Sequence, residues 1–364
     1  MLSSTSRRRF PALGAAVIAV AAMFALLVPT APATAAEGDA PTTIGVATRP
    51  AGDDGRPDGR SRFSYTADPG QAVTDRVLVG NTGSQRQDFT VYATDAYNAA
   101  DGSFSLLATA DAPTSVGAWL RFDDGSDRVQ FSLEPNEVRL LPFTVAFPAD
   151  ATPGDHVGGL VASVIEAGAQ VSVDRRVATS IFARVSGELQ PQLSIGSYDA
   201  TYEGDWWNPF AGDVRLHFTV TNPGNVALAA NLTSGVVTWF GAPVAGPQGG
   251  AIPVLLPGNT ATYDVNVGGV AQWLYLNPRT VLSPFVDSPD AAQQLSVTPI
   301  SRDAITFGIP WMLFILTGLV GAAVLFVRWR RRRDEARAQE WVEYMERAAA
   351  AEADELASAG TGSS

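Results

Sequence analysis

Residues 305–327 read ITFGIPWMLFILTGLVGAAVLFV without one charged side chain, and Arg-Trp-Arg-Arg-Arg-Arg follows at once over residues 328–333. A helix rises about 1.5 Å per residue, so this run is long enough for a bilayer core of about 30 Å. The alternative is that Pro310 sits at the first turn of the helix, which leaves a shorter span that still suffices. The guanidinium groups of Arg328, Arg330, Arg331, Arg332 and Arg333 resist translocation, and Trp311 and Trp329 stand where interfacial aromatics belong. The expected topology is one pass through the cell membrane, with a cytoplasmic C-terminus and an extracellular ectodomain ahead of residue 304.

The beginning of the chain agrees with export. Arg7, Arg8 and Arg9 precede an apolar run reaching Val28, and Ala33-Thr34-Ala35-Ala36 offers small residues for cleavage, so residues 1–36 read as a signal peptide. Ser6-Arg7-Arg8-Arg9-Phe10 also has the form of a twin-arginine signal, and both secretion routes stay open. Export would permit disulfides, yet the chain has no cysteine, so its outer domains must stand on packing and hydrogen bonds. Between residues 37 and 303 there are 15 arginines against 29 carboxylates. That acidic balance opposes binding to nucleic acid and suits a soluble exposed surface.

Residues 37–62 read as one short strand near residues 43–48 followed by a linker rich in Gly, Pro and Asp. From there to about Pro299, short runs such as Leu141-x-Phe143-x-Val145-x-Phe147 and Val177-x-Thr179-x-Ile181-x-Ala183-x-Val185 alternate with period two between turn residues. No helical period is sustained, which is the texture of β-sandwiches. One ordered pair of markers occurs twice. Val79-Gly80-Asn81-Thr82-Gly83 is followed later by Leu133-Glu134-Pro135-Asn136, and Thr221-Asn222-Pro223-Gly224 by Leu256-Pro257-Gly258-Asn259. Asn and Gly tolerate the left-handed backbone of a tight reversal, and the repetition implies two related domains meeting near residues 187–191.

The first of these domains resembles the peptidoglycan-binding domain of the WxL-interacting protein family of bacterial surface proteins. Phe63-x-Tyr65 with Asp68-Pro69-Gly70, Val79-x-Asn81, Ala93-Thr94-Asp95-Ala96 with Gly102, Leu133-x-Pro135, and Phe147-Pro148 with Pro153-Gly154 and Gly158-Gly159 carry the likeness. It implies two tandem immunoglobulin-like β-sandwich domains and a C-terminal transmembrane anchor; with the tail, which departs from the family, the expected fold is all-β with two tandem immunoglobulin-like β-sandwich domains plus one transmembrane α-helix and a short cytoplasmic helix. The expected segments are residues 63–187, 188–303, 304–327 and a partly helical tail over 328–364. It further implies a non-enzymatic protein that binds peptidoglycan or another cell-wall polymer, or a surface protein partner, without a cofactor. Trp311-x-Leu313 lies in the apolar run and is no recognition string.

Catalytic chemistry finds little to work with. A serine hydrolase needs a base beside its nucleophile, and the chain offers only His156 and His217, with no G-x-S-x-G. A glycosidase needs only two carboxylates, and no pair stands out. Asp53-Asp54-Gly55 and Asp123-Asp124-Gly125-Ser126-Asp127 lack calcium-loop spacing and read as turns, so no metal site is expected.

Aromatics are the better binding candidates. Trp206 and Trp207 are adjacent, and on extended backbone they would point to opposite faces, leaving one exposed. Trp273 and Tyr275 form a second pair. Packing over the sandwich end is the ordinary explanation, and sugar stacking or a protein hot spot the functional one. Trp119 reads as core, and Gly158-Gly159 as a bulge or a close backbone approach. In the tail, Trp341, Tyr344 and Met345 fall at helical spacing, and Glu343 stands four residues before Arg347, as in an amphipathic helix at the membrane surface. Two alternatives to the binding reading are an export or assembly chaperone acting by strand addition and a wall hydrolase.

Overall fold

The computed structural model describes residues 43–167, 172–287 and 295–360. The signal peptide expected over residues 1–36 lies outside them. Eighteen strands dominate: β1 (Val46–Ala51), β2 (Phe63–Ala67), β3 (Ala72–Asn81), β4 (Gln87–Asn98), β5 (Phe104–Leu106), β6 (Leu120–Phe122), β7 (Arg128–Leu133), β8 (Val138–Ala146), β9 (Gly154–Ala167), β10 (Ser172–Val185), β11 (Ser194–Glu203), β12 (Asp213–Thr221), β13 (Leu228–Thr238), β14 (Pro243–Leu255), β15 (Thr260–Gly268), β16 (Leu274–Phe285), β17 (Ile300–Asp303) and β18 (Thr306–Gly308). A single helical turn, α1 (Val116–Trp119), precedes β6, and one long helix, α2 (Trp311–Gly360), follows β18.

Two sandwiches result. In the first, the sheet β1-β3-β8-β6 faces the sheet β2-β10-β9-β4-β5, to which β7 adds on β4. Their inner faces meet through Val77, Val79, Phe143 and Val145 on one side and Phe89, Val91, Leu160 and Ile181 on the other, all buried. In the second, β11-β12-β15 faces β14-β13-β16-β17, with β18 pairing on β16. Val214, Leu216, Phe218 and Val220 of β12 recur every second residue and pack on Leu228, Ala230, Leu276 and Leu282. Full burial of each such Leu or Phe stabilises by about 1.5–3 kcal/mol, which lets two sandwiches without disulfides hold together.

The twice-occurring markers are one structural device used twice. Asn81 Nδ2 donates to the carbonyls of Gln85 and Leu133, and its Oδ1 accepts from Gly83 N. Asn222 makes the same three bonds with Val226, Leu255 and Gly224. The turn after each second marker closes on the same residue: Asn136 N donates to the Asn81 carbonyl and Gly258 N to that of Asn222. Both turn residues have left-handed backbone, with φ of 62° and 73°. Each Asn thus ties a strand end to the corner of a neighbouring hairpin deep in its sandwich.

Three local expectations need correction. Pro50 and Ala51 belong to edge strand β1 and not to the linker, because Pro is tolerated where its missing N–H faces no partner. Residues 305–310 are not helical. Thr306–Gly308 pairs with Leu274–Leu276, and the helix starts at Trp311, after Pro310. The tail is not a separate short helix either: α2 continues unbroken from Trp311 to Gly360, since no Gly or Pro signal intervenes after the arginines. By length and composition α2 is long and apolar enough to cross a membrane.

Candidate functional site

Strand β10 pairs along its whole length with β9, but β2 covers its other edge only from Ile181 to Val185, in parallel register. The cause is local. β1 belongs to the opposite sheet, and the chain reaches β2 through a loop turned at Gly55 and Gly59, whose left-handed φ values of 73° and 84° suit glycine. β2 therefore begins too late to cover the rest. Among the described residues, no strand pairs with residues 172–180 on that edge, a run of roughly 30 Å in which Thr179 is buried with its hydroxyl 2.9 Å from that of Thr48 on β1. Val173 and Val177 stand exposed on one face of this run, and Arg175 bonds Glu166 across the hairpin. On the opposite face, Asp174 accepts from Ser163 and Thr109, and Arg176 donates to the Leu107 carbonyl. That second face continues into a groove lined by Phe104, Leu106, Ala178, Phe182, Pro253 and Val254, with walls from both sandwiches.

The groove holds its shape because the sandwiches are locked together beside it. Arg184 grips Asp155 through two bonds of 2.6 and 2.8 Å, and Asp155 also accepts from Ala227 N of the second sandwich. Asn98 donates to the Val254 carbonyl and accepts from Leu256 N. Val157, Ala227 and Leu256 form a small apolar cluster at the same junction. Arg62 reaches across to Asp287, side chain and carbonyl, while lying 4.7 Å over the Phe182 ring.

A polar cluster braces the base of β2. Asp75 accepts from Arg60 at 2.7 and 3.0 Å and from the Tyr65 hydroxyl at 2.8 Å. Burial by itself would raise the Asp75 carboxyl, but bonds from Arg60, the Arg76 amide and Tyr65 outweigh it and hold it below its ordinary value. Burial, reinforced by the Asp75 charge, pushes the Tyr65 hydroxyl far upward.

The histidines are wired structurally. His156 Nδ1 lies 2.7 Å from Ser115 Oγ, its Nε2 lies 2.9 Å from the Thr152 carbonyl, and its ring packs on Trp119. The nearby Asp95 carboxylate is taken up by the amides of Thr114, Ser115 and Gly117 and does not orient the imidazole. His217 pairs with Asp264 on the outer face of β12. Asp124 closes its turn on Ser126, as turn chemistry requires, and no cluster of potential metal ligands occurs among the described residues. Trp119 is partly buried against the first core. Gly158 lies in unbroken register, with Thr94 and Val116 where a Cβ would go, so the glycine pair marks a close approach and not a bulge.

The aromatic candidates gather elsewhere. Trp206 and Trp207 sit in a turn, closed by Asn208 N on the Asp205 carbonyl, and both are exposed. The expectation of opposite faces assumed extended chain and does not apply to a turn. Trp273 is exposed beside them, and Tyr275 is half-buried with its ring 6.2 Å from Phe307. Sequence reasoning missed Trp239 and Phe240, which occupy the turn between β13 and β14 and meet Trp273 edge-to-face through Phe240. Bulky aromatics next to Gly241, where a turn favours polar residues, were the available signal. Trp329 and the arginines lie exposed along α2, with Arg333 over the Trp329 ring.

No protein-family model matches the sequence, and no curated protein matches it. The resemblance to the WxL-interacting family therefore rests on the quoted motifs alone. Among solved structures, the class 5 fimbriae chaperone CfaA is 11% identical with a TM-score of 0.32, over 68% of this chain and 97% of that one. The CupB2 chaperone of Pseudomonas aeruginosa is 14% identical with a TM-score of 0.27, over 67% and 97%. A PapD-like domain of human CEP192 is 12% identical with a TM-score of 0.25, over 44% and 98%. Identity and superposition are low in all three.

Proposed function

We propose that the chain is a non-enzymatic, membrane-anchored module of the cell surface that captures an extended segment of an exported protein by strand addition to β10. One observation carries the reading: residues 172–180 present an unpaired strand edge beside an apolar groove. An added strand would satisfy the idle backbone groups of that edge, and its alternate side chains would fall toward Phe104, Phe182 and Val254. Arg175 and Arg176 keep the same edge from pairing with its own kind, a device edge strands use against aggregation. Among the other edge strands, which include β11 and β15, β14 is the longest and is a poorer template, because Pro243, Pro247 and Pro253 interrupt its donors and its register shifts three times. Residues 311–327 followed by the arginine block would hold the module to the membrane with the sandwiches outside.

A photo-crosslinking residue at Val173 or Val177 of the full chain in intact cells tests this. The expected result is a protein adduct at both positions that disappears when Ala178→Pro is added. Adducts to wall carbohydrate, together with retention of the full chain on isolated peptidoglycan, would overturn it in favour of a wall-polymer ligand.

A further inference from the structure

We infer that the second sandwich sits directly on the outer leaflet through a collar of aromatic side chains, so that the membrane interface is itself a binding partner of this domain. The inference presupposes the membrane anchor but is independent of any partner along β10.

Two connector residues, Ile309 and Pro310, separate the last residue of β18 from the first of α2. A chain extends at most about 3.6 Å per residue, so the end of the sheet and the start of the helix lie within roughly 11 Å of each other. Gly308 is paired with Leu274, which places Trp273 one residue from the same point. Trp273 meets Phe240 edge-to-face, and Phe240 meets Trp239 the same way, with centroids 6.2 and 5.0 Å apart. The loop carrying Trp206, Trp207 and Phe210 is hung on the same place, because Gln272 donates through its backbone to the Pro209 carbonyl and through its side chain to that of Asp205. Strand alternation in β18 buries Thr306 and Gly308 and turns Ile305 and Phe307 outward.

All of these apolar side chains face open space, with Phe210 at 77% and Trp239 at 72% exposure. Four of the eight tryptophans in the chain are in this one patch. Large contiguous apolar surface mixed with indole N–H groups has a poor place in water, whereas the interfacial layer of a bilayer accepts both ends of the indole. Lipid is the occupant the geometry favours because the patch surrounds the point where the chain must enter the membrane. Backbone strain supports it: Leu274 holds a left-handed φ of 64°, rare for a bulky residue, and this turns its side chain outward at 50% exposure.

The test uses the full chain in nanodiscs whose lipids carry bromine on the upper acyl chain. Trp311, Trp329 and Trp341 are replaced by Phe, which leaves the collar and the remote Trp119. Emission is expected to fall about two-fold or more relative to unbrominated discs, and aqueous acrylamide to quench weakly. Leu274→Gly, which relieves the backbone, is expected to preserve folding while restoring part of the emission. Unchanged emission in a chain that stays in the discs after an alkaline wash would overturn the collar and leave the anchor standing. Loss of the chain on washing would overturn both, and protection from bromine and acrylamide alike would mean that protein covers the patch, which also overturns the inference.

Discussion

Asn81 and Asn222 show how much one side chain can organise. Each is buried and makes three hydrogen bonds to the backbone at its corner. Replacing Asn222 by Ala removes three hydrogen bonds, two of them to buried carbonyls, so a loss of about 2–4 kcal/mol is expected, read as a lower denaturation midpoint at constant slope. Asn81→Ala should behave alike in the first sandwich. Asp75 gives a pH signature. Its folded pKa is depressed, so the stability it contributes is present above the unfolded value of about 3.9 and is lost as pH falls through the lower folded value. Asp75→Asn should therefore be less stable than the natural protein at neutral pH, with the gap closing below about pH 4 in thermal melts. The repeated Asn-x-Gly strings were legible as a repeat, but not for the left-handed backbone expected of them: none of Asn81, Gly83, Asn222 and Gly224 has a positive φ, and each Asn acts through its buried side chain. Asp75, Arg60 and Tyr65 were not legible, because nothing in the local spacing of charges announces which of them the fold will bring together.

At the scale of elements, alternation with period two marked β8 and the second half of β10, where one face is buried against the core. The same signal could not tell strand from helix across residues 305–310, an apolar stretch that β16 recruits as β18. Tertiary pairing overrode composition there. Nor could it show that β2 stops short on β10, since register is a property of two strands and the loop between them. The junction of the sandwiches rests on Arg184 and Asp155, both nearly buried. Arg184→Ala strands a carboxylate without its partner and is expected to destabilise by about 3–5 kcal/mol, while Asp155→Ala in the same chain should recover part of the loss. Additive losses in denaturant titrations of the two single variants and the double would contradict a coupled pair.

On the scale of the whole molecule, the β-sheets are joined by two residues to a helix long and apolar enough to cross a membrane, and a block of arginines follows its apolar part. Replacing Arg330, Arg331, Arg332 and Arg333 by Gln should leave the sandwiches folded but scramble orientation, so that a reporter after Ser364 appears on both faces of the membrane. The binding reading rests on one property, an edge of β10 over residues 172–180 to which no strand is paired among the described residues. Amide hydrogen exchange on the full chain in nanodiscs measures it directly. Along residues 172–180, amides pointing toward β9 should exchange slowly and those pointing away fast, in strict alternation. Uniform protection of both sets would mean that the edge is already occupied and would contradict strand addition.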